Sequence, residues 1–236
     1  LQVVGDKGFA FNAGTAPSWT MDVSDPTALA PLAYYEVEDS AGEVAPYYFA
    51  NLGGRYALFA RKNQGGGPIA FDVSDPGAPQ FAGDFHTLDG DGGYVFRHED
   101  ALFVGDSNFA SVYDFTDPAQ MSELGRMQLA GDLDTATPIG NVVVLSVDSG
   151  AEPGRGSVVV PWQTAPDTSP PVAELHFPLD EAENVALTAG IGLSFNEMIE
   201  RASVFEGSFR VTDKRGHKVE GLFNTQEGIV NFTPVE

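Results

Sequence analysis

One short motif occurs three times in the first half of this chain and limits what the chain can fold into. An apolar strand-like segment precedes each copy, and each copy ends in Asp-Pro. The copies are Asp22–Pro26, Asp72–Pro76 and Asp114–Pro118. Their prolines are separated by 50 and then 42 residues. Periods of roughly 40 to 50 residues are typical of β-propeller blades.

The segments between the motifs share an internal pattern of four short strands joined by turn-forming residues. We therefore predict an all-β fold in which residues 1–164 form a partial β-propeller arc of four blades. The predicted blades span residues 1–36, 46–86, 92–129 and 136–162. The last repeat has no Asp-Val-Ser-Asp-Pro segment, so we expect its outermost strand to be missing and to be supplied by a segment upstream of Leu1.

The recurring Asp pairs of the motif could be interpreted as acid–base pairs, but a turn explains them better. Asp and Ser side chains accept hydrogen bonds from free backbone N–H groups, and Pro presets the backbone for a bend. One copy in each blade is what a structural repeat requires. The pattern predicts turns, and no catalytic residue is assigned to it.

A Pro-rich linker at residues 165–171 separates the repeats from a region with a different pattern. Five segments after the linker have the composition of strands. They are Val172–Pro178, Ile191–Phe195, Phe209–Thr212, Lys218–Phe223 and Ile229–Thr233. We predict that residues 172–236 form a separate Ig-like β-sandwich, truncated at its C-terminal edge.

Both regions resemble known bacterial families. The motifs Asp22–Pro26, Asp72–Pro76 and Asp114–Pro118 resemble the LVIVD repeats of bacterial surface β-propellers. The C-terminal region resembles the bacterial Ig-like domain of S-layer and surface proteins. The segments that carry this second resemblance are Pro178–Asp180, Leu193–Glu197, Phe209–Asp213, Gly216 and Asn231–Pro234, with Met198 where that family often has Pro. The two resemblances imply a secreted or cell-surface protein and no defined activity.

The charge and the composition exclude several classes of function. The net charge is −22, so a basic surface for nucleic acid or anionic membrane is not expected. There are no cysteines, which excludes disulfides, thiolate metal sites and a cysteine nucleophile. No apolar stretch is long enough for a membrane-spanning helix.

The loops offer one candidate metal site. In Asp89-Gly90-Asp91 two carboxylates alternate with glycine, as at the start of a calcium loop, although the glutamate that ends an EF-hand loop is missing. An ordinary flexible turn is the alternative. We predict Asp89 and Asp91 as possible ligands of a weakly bound Ca²⁺.

These two residues belong to a larger acidic surface. In a four-stranded blade, the loop between strands two and three and the connection to the next blade emerge on the same side. We call this side the loop face. It is predicted to carry Glu36, Glu38, Asp39, Glu43, Asp89, Asp91, Asp106, Asn108, Asp132, Asp134, Asp148 and Glu152.

No catalytic apparatus stands out elsewhere in the chain. His86, His98, His176 and His217 are dispersed without ligand spacing, so no zinc site is expected. Neither a phosphate-binding loop nor a G-x-S-x-G element is present. We predict a non-enzymatic binding, adhesion or envelope-scaffolding module that takes a protein or glycan ligand at the acidic loop face. The alternative is a glycosidase-like propeller hydrolase whose active site lies mostly outside this sequence.

Overall fold

The computed structural model describes residues 1–235, and it is built almost entirely of short antiparallel strands. The strands are β1 (Gln2–Val4), β2 (Lys7–Ala10), β3 (Ser18–Asp22), β4 (Ala30–Tyr35), β5 (Tyr47–Gly53), β6 (Tyr56–Arg61), β7 (Pro68–Asp72), β8 (Gln80–Asp84), β9 (Val95–His98), β10 (Ala101–Gly105), β11 (Ala110–Asp114), β12 (Ser122–Met127), β13 (Thr135–Ile139), β14 (Val142–Ser146), β15 (Ser157–Pro161), β16 (Ala173–Phe177), β17 (Ile191–Phe195), β18 (Gly221–Gln226) and β19 (Ile229–Pro234). Two short 3₁₀ helices span Pro118–Gln120 and Arg201–Ser203.

None of the described helices has the length and apolar character needed to cross a membrane.

The strands form five small sheets in a propeller-like arrangement, which corrects the prediction of four blades. Four sheets come from consecutive strands, β1–β4, β5–β8, β9–β12 and β13–β15. The fifth is built from the C-terminal region. The first four sheets coincide with the predicted repeats to within a few residues. The fourth has three strands among the described residues, so the prediction that it lacks its outermost strand is confirmed.

The first strand of each blade is innermost and the fourth is outermost. Strands β5 and β9 contact one another, as do β9 and β13. Burial is greatest in the second and third blades, where every residue of β6, β9 and β10 is buried. The outer strands β4 and β12 are mostly exposed. Apolar side chains between neighbouring sheets form the core, with Phe59, Leu102 and Leu145 fully buried in three separate clusters.

The Asp-Pro motifs form the predicted turns in all three copies. The first Asp of each motif accepts a hydrogen bond from the backbone N–H two residues later, at 2.9 Å in every copy; the acceptors are Asp22, Asp72 and Asp114. The second Asp does the same at 2.8 to 3.1 Å; the acceptors are Asp25, Asp75 and Asp117. The motif therefore has a local structural role, because its carboxylates satisfy backbone donors that the bend leaves free.

A two-residue hairpin turn joins the first and second strands in each of the four blades. The first turn residue has a left-handed backbone in every case; these residues are Gly5, Gly54, Glu99 and Gly140, with φ of 60°, 63°, 51° and 56°. Glycine adopts this conformation at little cost, which explains three of the four. In the third blade Glu99 takes this position instead of glycine.

The fifth sheet packs against three of these hairpin turns. It has the strand order β16-β17-β19-β18 and contacts β1 through β17 and β19. The N–H of Gly5 donates to the Asn231 side chain at 2.8 Å, that of Gly54 to the Phe195 carbonyl at 2.7 Å, and that of Glu99 to the Asn196 carbonyl at 3.0 Å. Equivalent amides of three blades therefore bind one sheet.

This arrangement corrects the prediction of a separate two-sheet sandwich. Within residues 173–234 the strands form a single four-stranded sheet, and that sheet packs on the blades. The predicted strand Phe209–Thr212 is replaced by one isolated bridge between Thr212 and Lys218. The apolar face of the sheet is buried mainly against the propeller, where Leu175, Phe177 and Ile229 join the same core cluster as Phe59.

A buried ion pair reinforces this contact. The Arg97 guanidinium donates to both carboxylate oxygens of Glu174, at 2.6 and 2.8 Å, and also to the Gly53 carbonyl at 3.1 Å. The Arg97 side chain is 5% exposed. A bidentate pair of this kind fixes orientation as well as position.

We expect Gly5→Ala to lower the free energy of unfolding by more than the cost of placing alanine in a left-handed backbone conformation. A Cβ at Gly5 would overlap the Phe177 carbonyl, whereas a Cβ at Gly14, whose φ is also positive, would meet open space. The free energy of unfolding in urea should fall by at least about 1 kcal/mol more for Gly5→Ala than for Gly14→Ala. Equal losses would contradict the close packing of the fifth sheet on this turn.

We expect Glu174→Gln to lower the free energy of unfolding by about 2 kcal/mol, because it leaves the buried Arg97 charge without its anion. Glu220→Gln is the matched control, since Glu220 pairs with Lys218 at 3.0 Å with its side chain 67% exposed. The control should change stability by less than about 0.5 kcal/mol. If the two variants unfold alike in urea, the pair does not hold the sheet.

Candidate functional site

The structure brings the predicted loops together on one side of the blades. Isolated bridges join the loop between strands two and three of a blade to the connection that follows the blade, as between Gly66 and Thr87 and between Ser107 and Leu133. A further bridge joins Asp132 to Ser149. Backbone hydrogen bonds therefore fix the loop face, which makes it a rigid platform for the side chains that it carries.

Asp89 and Asp91, the predicted calcium ligands, are each paired with a cation of the protein. The Asp89 carboxylate accepts from Arg126 at 2.6 Å and from the Thr87 hydroxyl. Arg126 and Thr87 hold the pKa of Asp89 far below its usual range. Asp91 accepts from the Asn63 N–H at 2.7 Å and lies 3.5 Å from the Lys62 amine. The two carboxylates are thus held by different partners, and their calcium binding stays a prediction.

Other acids of the loop face stabilise the fold through ion pairs. Arg61 is almost fully buried, and it binds Asp39 at 3.1 Å and Asp84 at 3.2 Å. Asp39 also accepts from the N–H groups of Ala41 and Glu43, at 2.9 and 3.0 Å. The sequence does not show which basic residues pair with the acids of the loop face. These pairs depend on how the strands align, which spacing in the sequence does not reveal.

Asp106 stands apart because its carboxylate is buried without a counter-charge at ion-pair distance. The residue is 0% exposed, and neither carboxylate oxygen has a hydrogen-bond partner among the described residues. Burial raises the pKa of Asp106 to about 7, and the positive charge of Arg126 opposes this only in part. An uncompensated buried carboxyl is costly to fold and is a common feature of binding sites.

A second group of acids lies between the third and fourth blades. One carboxylate oxygen of Asp132 and one of Asp134 are buried without a hydrogen-bond partner in the described part of the chain. Burial and the charges of Asp132 and Asp148 raise the pKa of Asp134, while Lys62 partly opposes them. This mutual repulsion means that the group gains stability from a bound cation.

Aromatic rings line the inner strands, where a propeller enzyme would need carboxylates. Phe49 and Tyr94 stack with ring centroids 3.8 Å apart, and Phe96 continues the stack at 6.2 Å from Tyr94. The four inner strands β1, β5, β9 and β13 contain no Asp or Glu. A pair of carboxylates flanking one sugar bond has no source on these strands.

The structure also groups residues that the sequence analysis treated as dispersed. His98, from the end of β9, lies beside Asp167 and Glu197, which are distant in sequence. Within residues 1–235 it is the one group of at least three potential metal-ligating side chains whose ligand atoms all lie within 4.8 Å of one another. No spacing signal could have found it, because its members come from three separate segments.

The fold and the loop face define this protein as an all-β, propeller-like protein with an acidic loop platform. Residues 167–236, less than half of the chain, match the family model described as a bacterial Ig-like domain. The match begins inside the predicted Pro-rich linker and supports the second resemblance noted from the sequence.

No curated protein shows a significant match. Among solved structures, the chain is similar to the crystal structure of the N-terminal domain of Nup159, with 11% identity and a TM-score of 0.37. The alignment covers 94% of this chain and 57% of that one. The chain thus spans little more than half the length of that structure, and a likeness of this size carries no argument about function.

We expect Asp106 to make the protein less stable as the pH rises from about 4 to above 7. Folding raises the pKa of Asp106 from 3.8 to about 7. Between these two pH values the unfolded chain has released a proton that the folded protein still binds, so the free energy of unfolding falls as the pH rises. Asp106→Asn stays neutral and should gain free energy of unfolding relative to the wild type over this range, measured in urea with a chelator present. Asp180→Asn, at a side chain 96% exposed, should show no such gain. Parallel pH profiles for the wild type and Asp106→Asn would contradict the assignment.

Proposed function

We propose that this chain is a non-enzymatic binding module of the bacterial cell surface that acts through its acidic loop face. Bacterial Ig-like domains are typical of surface proteins, and residues 167–236 match that family. The three Asp-Pro turns are consistent with LVIVD-type blades, which carry the same implication. Loops held on a rigid scaffold are the usual location of binding sites.

One observation carries the proposal: the loop face holds carboxylate oxygens that are buried and unpaired. They belong to Asp106, Asp132 and Asp134. The other acids of the face that we followed, such as Asp39 and Asp89, are matched to arginine. An excess of oxygen ligands without a protein cation favours a hard divalent cation such as Ca²⁺. An ion held there retains open coordination positions for oxygen atoms of a protein or glycan partner.

The hydrolase alternative has less support. A glycosidase needs two carboxyl groups about 5 to 10 Å apart across the scissile bond. The inner strands supply the aromatic stack Phe49, Tyr94 and Phe96 instead. Turnover of chromogenic glycosides or esters by this chain, lost on substitution of Asp132 or Asp134, would replace the binding proposal with an enzymatic one.

Calorimetry at millimolar Ca²⁺ tests the proposal on the intact chain. We expect binding heat for the wild type, and we expect Asp132→Asn/Asp134→Asn to remove it because that variant loses both carboxylate charges. Asp89→Ala/Asp91→Ala tests the residues predicted from sequence. Asp180→Asn controls for the loss of general negative charge.

The outcomes separate the candidates. Loss of heat in Asp132→Asn/Asp134→Asn with retention in Asp180→Asn supports a site between the third and fourth blades. Loss in Asp89→Ala/Asp91→Ala alone moves the ion to the predicted calcium loop. An absence of heat in the wild type, or equal heat in all variants, rejects cation binding at this face.

A further inference from the structure

A second, chemically different group of ligands lies on the opposite side of the blades, where the propeller meets the C-terminal region. His98 ends strand β9, Asp167 lies in the segment after β15, and Glu197 follows β17. One potential ligand atom from each lies within 4.8 Å of the other two. The group therefore joins three segments that are remote in sequence.

The His98 ring is held in place, but one of its two nitrogen atoms lacks a hydrogen-bond partner among the described residues. The residue is 2% exposed, and its ring meets Trp162 edge to face with centroids 5.7 Å apart. The Trp162 indole is itself fixed, since it donates to the Gly140 carbonyl at 2.6 Å. The Nε2 atom of His98 is buried and makes no hydrogen bond within the described residues. It is directed at Asp167 Oδ2, 3.5 Å away.

The two carboxylates are arranged differently around the ring. Asp167 uses Oδ1 to accept from the Ser169 N–H at 2.9 Å, which leaves Oδ2 free beside Nε2. Glu197 places Oε2 at 3.3 Å from His98 Nδ1, while its Oε1 is buried without a partner. Glu197 is 8% exposed.

The two carboxylates have His98 as their ion-pair partner. Among residues 1–235, no Lys or Arg lies at ion-pair distance from Asp167 or Glu197. A buried histidine with two carboxylates and no Lys or Arg partner matches the ligand chemistry of Zn²⁺ and similar divalent transition metals. It differs from the all-oxygen loop face, which favours Ca²⁺.

We propose that His98, Asp167 and Glu197 form a transition-metal site of the Zn²⁺ class that joins the propeller to the C-terminal sheet. His98 Nε2 and Asp167 Oδ2 are the ligands, because two atoms bound at about 2.0 to 2.2 Å to a tetrahedral ion lie close to the observed separation. Glu197 accepts the Nδ1 proton and fixes the tautomer that exposes Nε2, the usual role of a carboxylate behind a metal-bound histidine. Water completes the coordination.

The site has a structural consequence. Because its members lie on the third blade, the linker and the segment after β17, an ion bound there adds a link between segments that already meet through hydrogen bonds and the Arg97–Glu174 ion pair. Metal that binds only the folded chain stabilises it by mass action. Zn²⁺ should therefore raise the unfolding temperature of the intact protein.

The test is a titration of the intact, chelator-treated chain with Zn²⁺ by calorimetry, and with Co²⁺ by visible absorption. We expect one ion per chain. Each substitution should weaken binding: His98→Gln and Asp167→Asn at least about tenfold through loss of a ligand, and Glu197→Gln about 10- to 100-fold through loss of orientation. The rise in unfolding temperature with Zn²⁺ should be smaller in all three variants than in the wild type.

His217→Gln is the matched control, because His217 lies 3.2 Å from Asp213 in an exposed His–Asp pair. It should bind Zn²⁺ as the wild type does, as should Asp132→Asn/Asp134→Asn at the loop face. Far-ultraviolet circular dichroism checks that His98→Gln is folded, and Asp167→Asn gives an independent result if it is not. An absence of Zn²⁺ heat, full affinity in folded His98→Gln or Asp167→Asn, or loss of binding in His217→Gln overturns the proposal.

Discussion

Three backbone amides at equivalent positions of three blades hold this structure together. Each belongs to a two-residue hairpin turn, and each donates to the C-terminal sheet; the donors are Gly5, Gly54 and Glu99. The residue that carries each of these amides has a left-handed backbone conformation. The repeat therefore supplies not only four blades but also a row of identical donors, and the fifth sheet is the element that satisfies them. Without it, buried polar groups at the turns would lose their partners.

The distribution of charge follows from the same architecture. A net charge of −22 leaves few basic residues, and the structure pairs several of them with acids. Arg61 lies between Asp39 and Asp84, Arg97 holds Glu174, and Arg126 holds Asp89. The acids that remain unpaired are therefore informative. They form two groups with different ligand chemistry, all oxygen at the loop face and nitrogen with oxygen at the contact between the propeller and the fifth sheet.

Local signals in the sequence predicted the blades well, because blade structure depends on nearby residues. The Asp-Pro motifs predicted the turns, and short continuous apolar runs predicted strands such as β6 and β10. The role of the C-terminal region was not predictable in this way. Its apolar residues Leu175, Phe177 and Ile229 would fit a sandwich core equally well. The close approach to the blades depends on the glycines at positions 5, 54 and 192.

The candidate sites were likewise not predictable from the spacing of residues in the sequence. The motif Asp89-Gly90-Asp91 has the spacing of a cation loop, but Arg126 and Lys62 arrive from other segments and pair with it. His98 has no ligand spacing in the sequence, yet tertiary structure places two carboxylates beside it. Spacing identifies sites built from one segment, whereas these sites are built from several.

The contact between Gly5 and Asn231 joins residues that are 226 positions apart. Closing so large a loop is slow, because the entropy of the intervening chain is lost before the contact contributes stability. During synthesis the first blade therefore emerges long before the sheet that covers its inner turn. Its strand edges and the apolar residues that face the fifth sheet stay open to solvent until strands β16 to β19 have been made. The order of translation thus delays the covering of the first blade until all four repeats have been made.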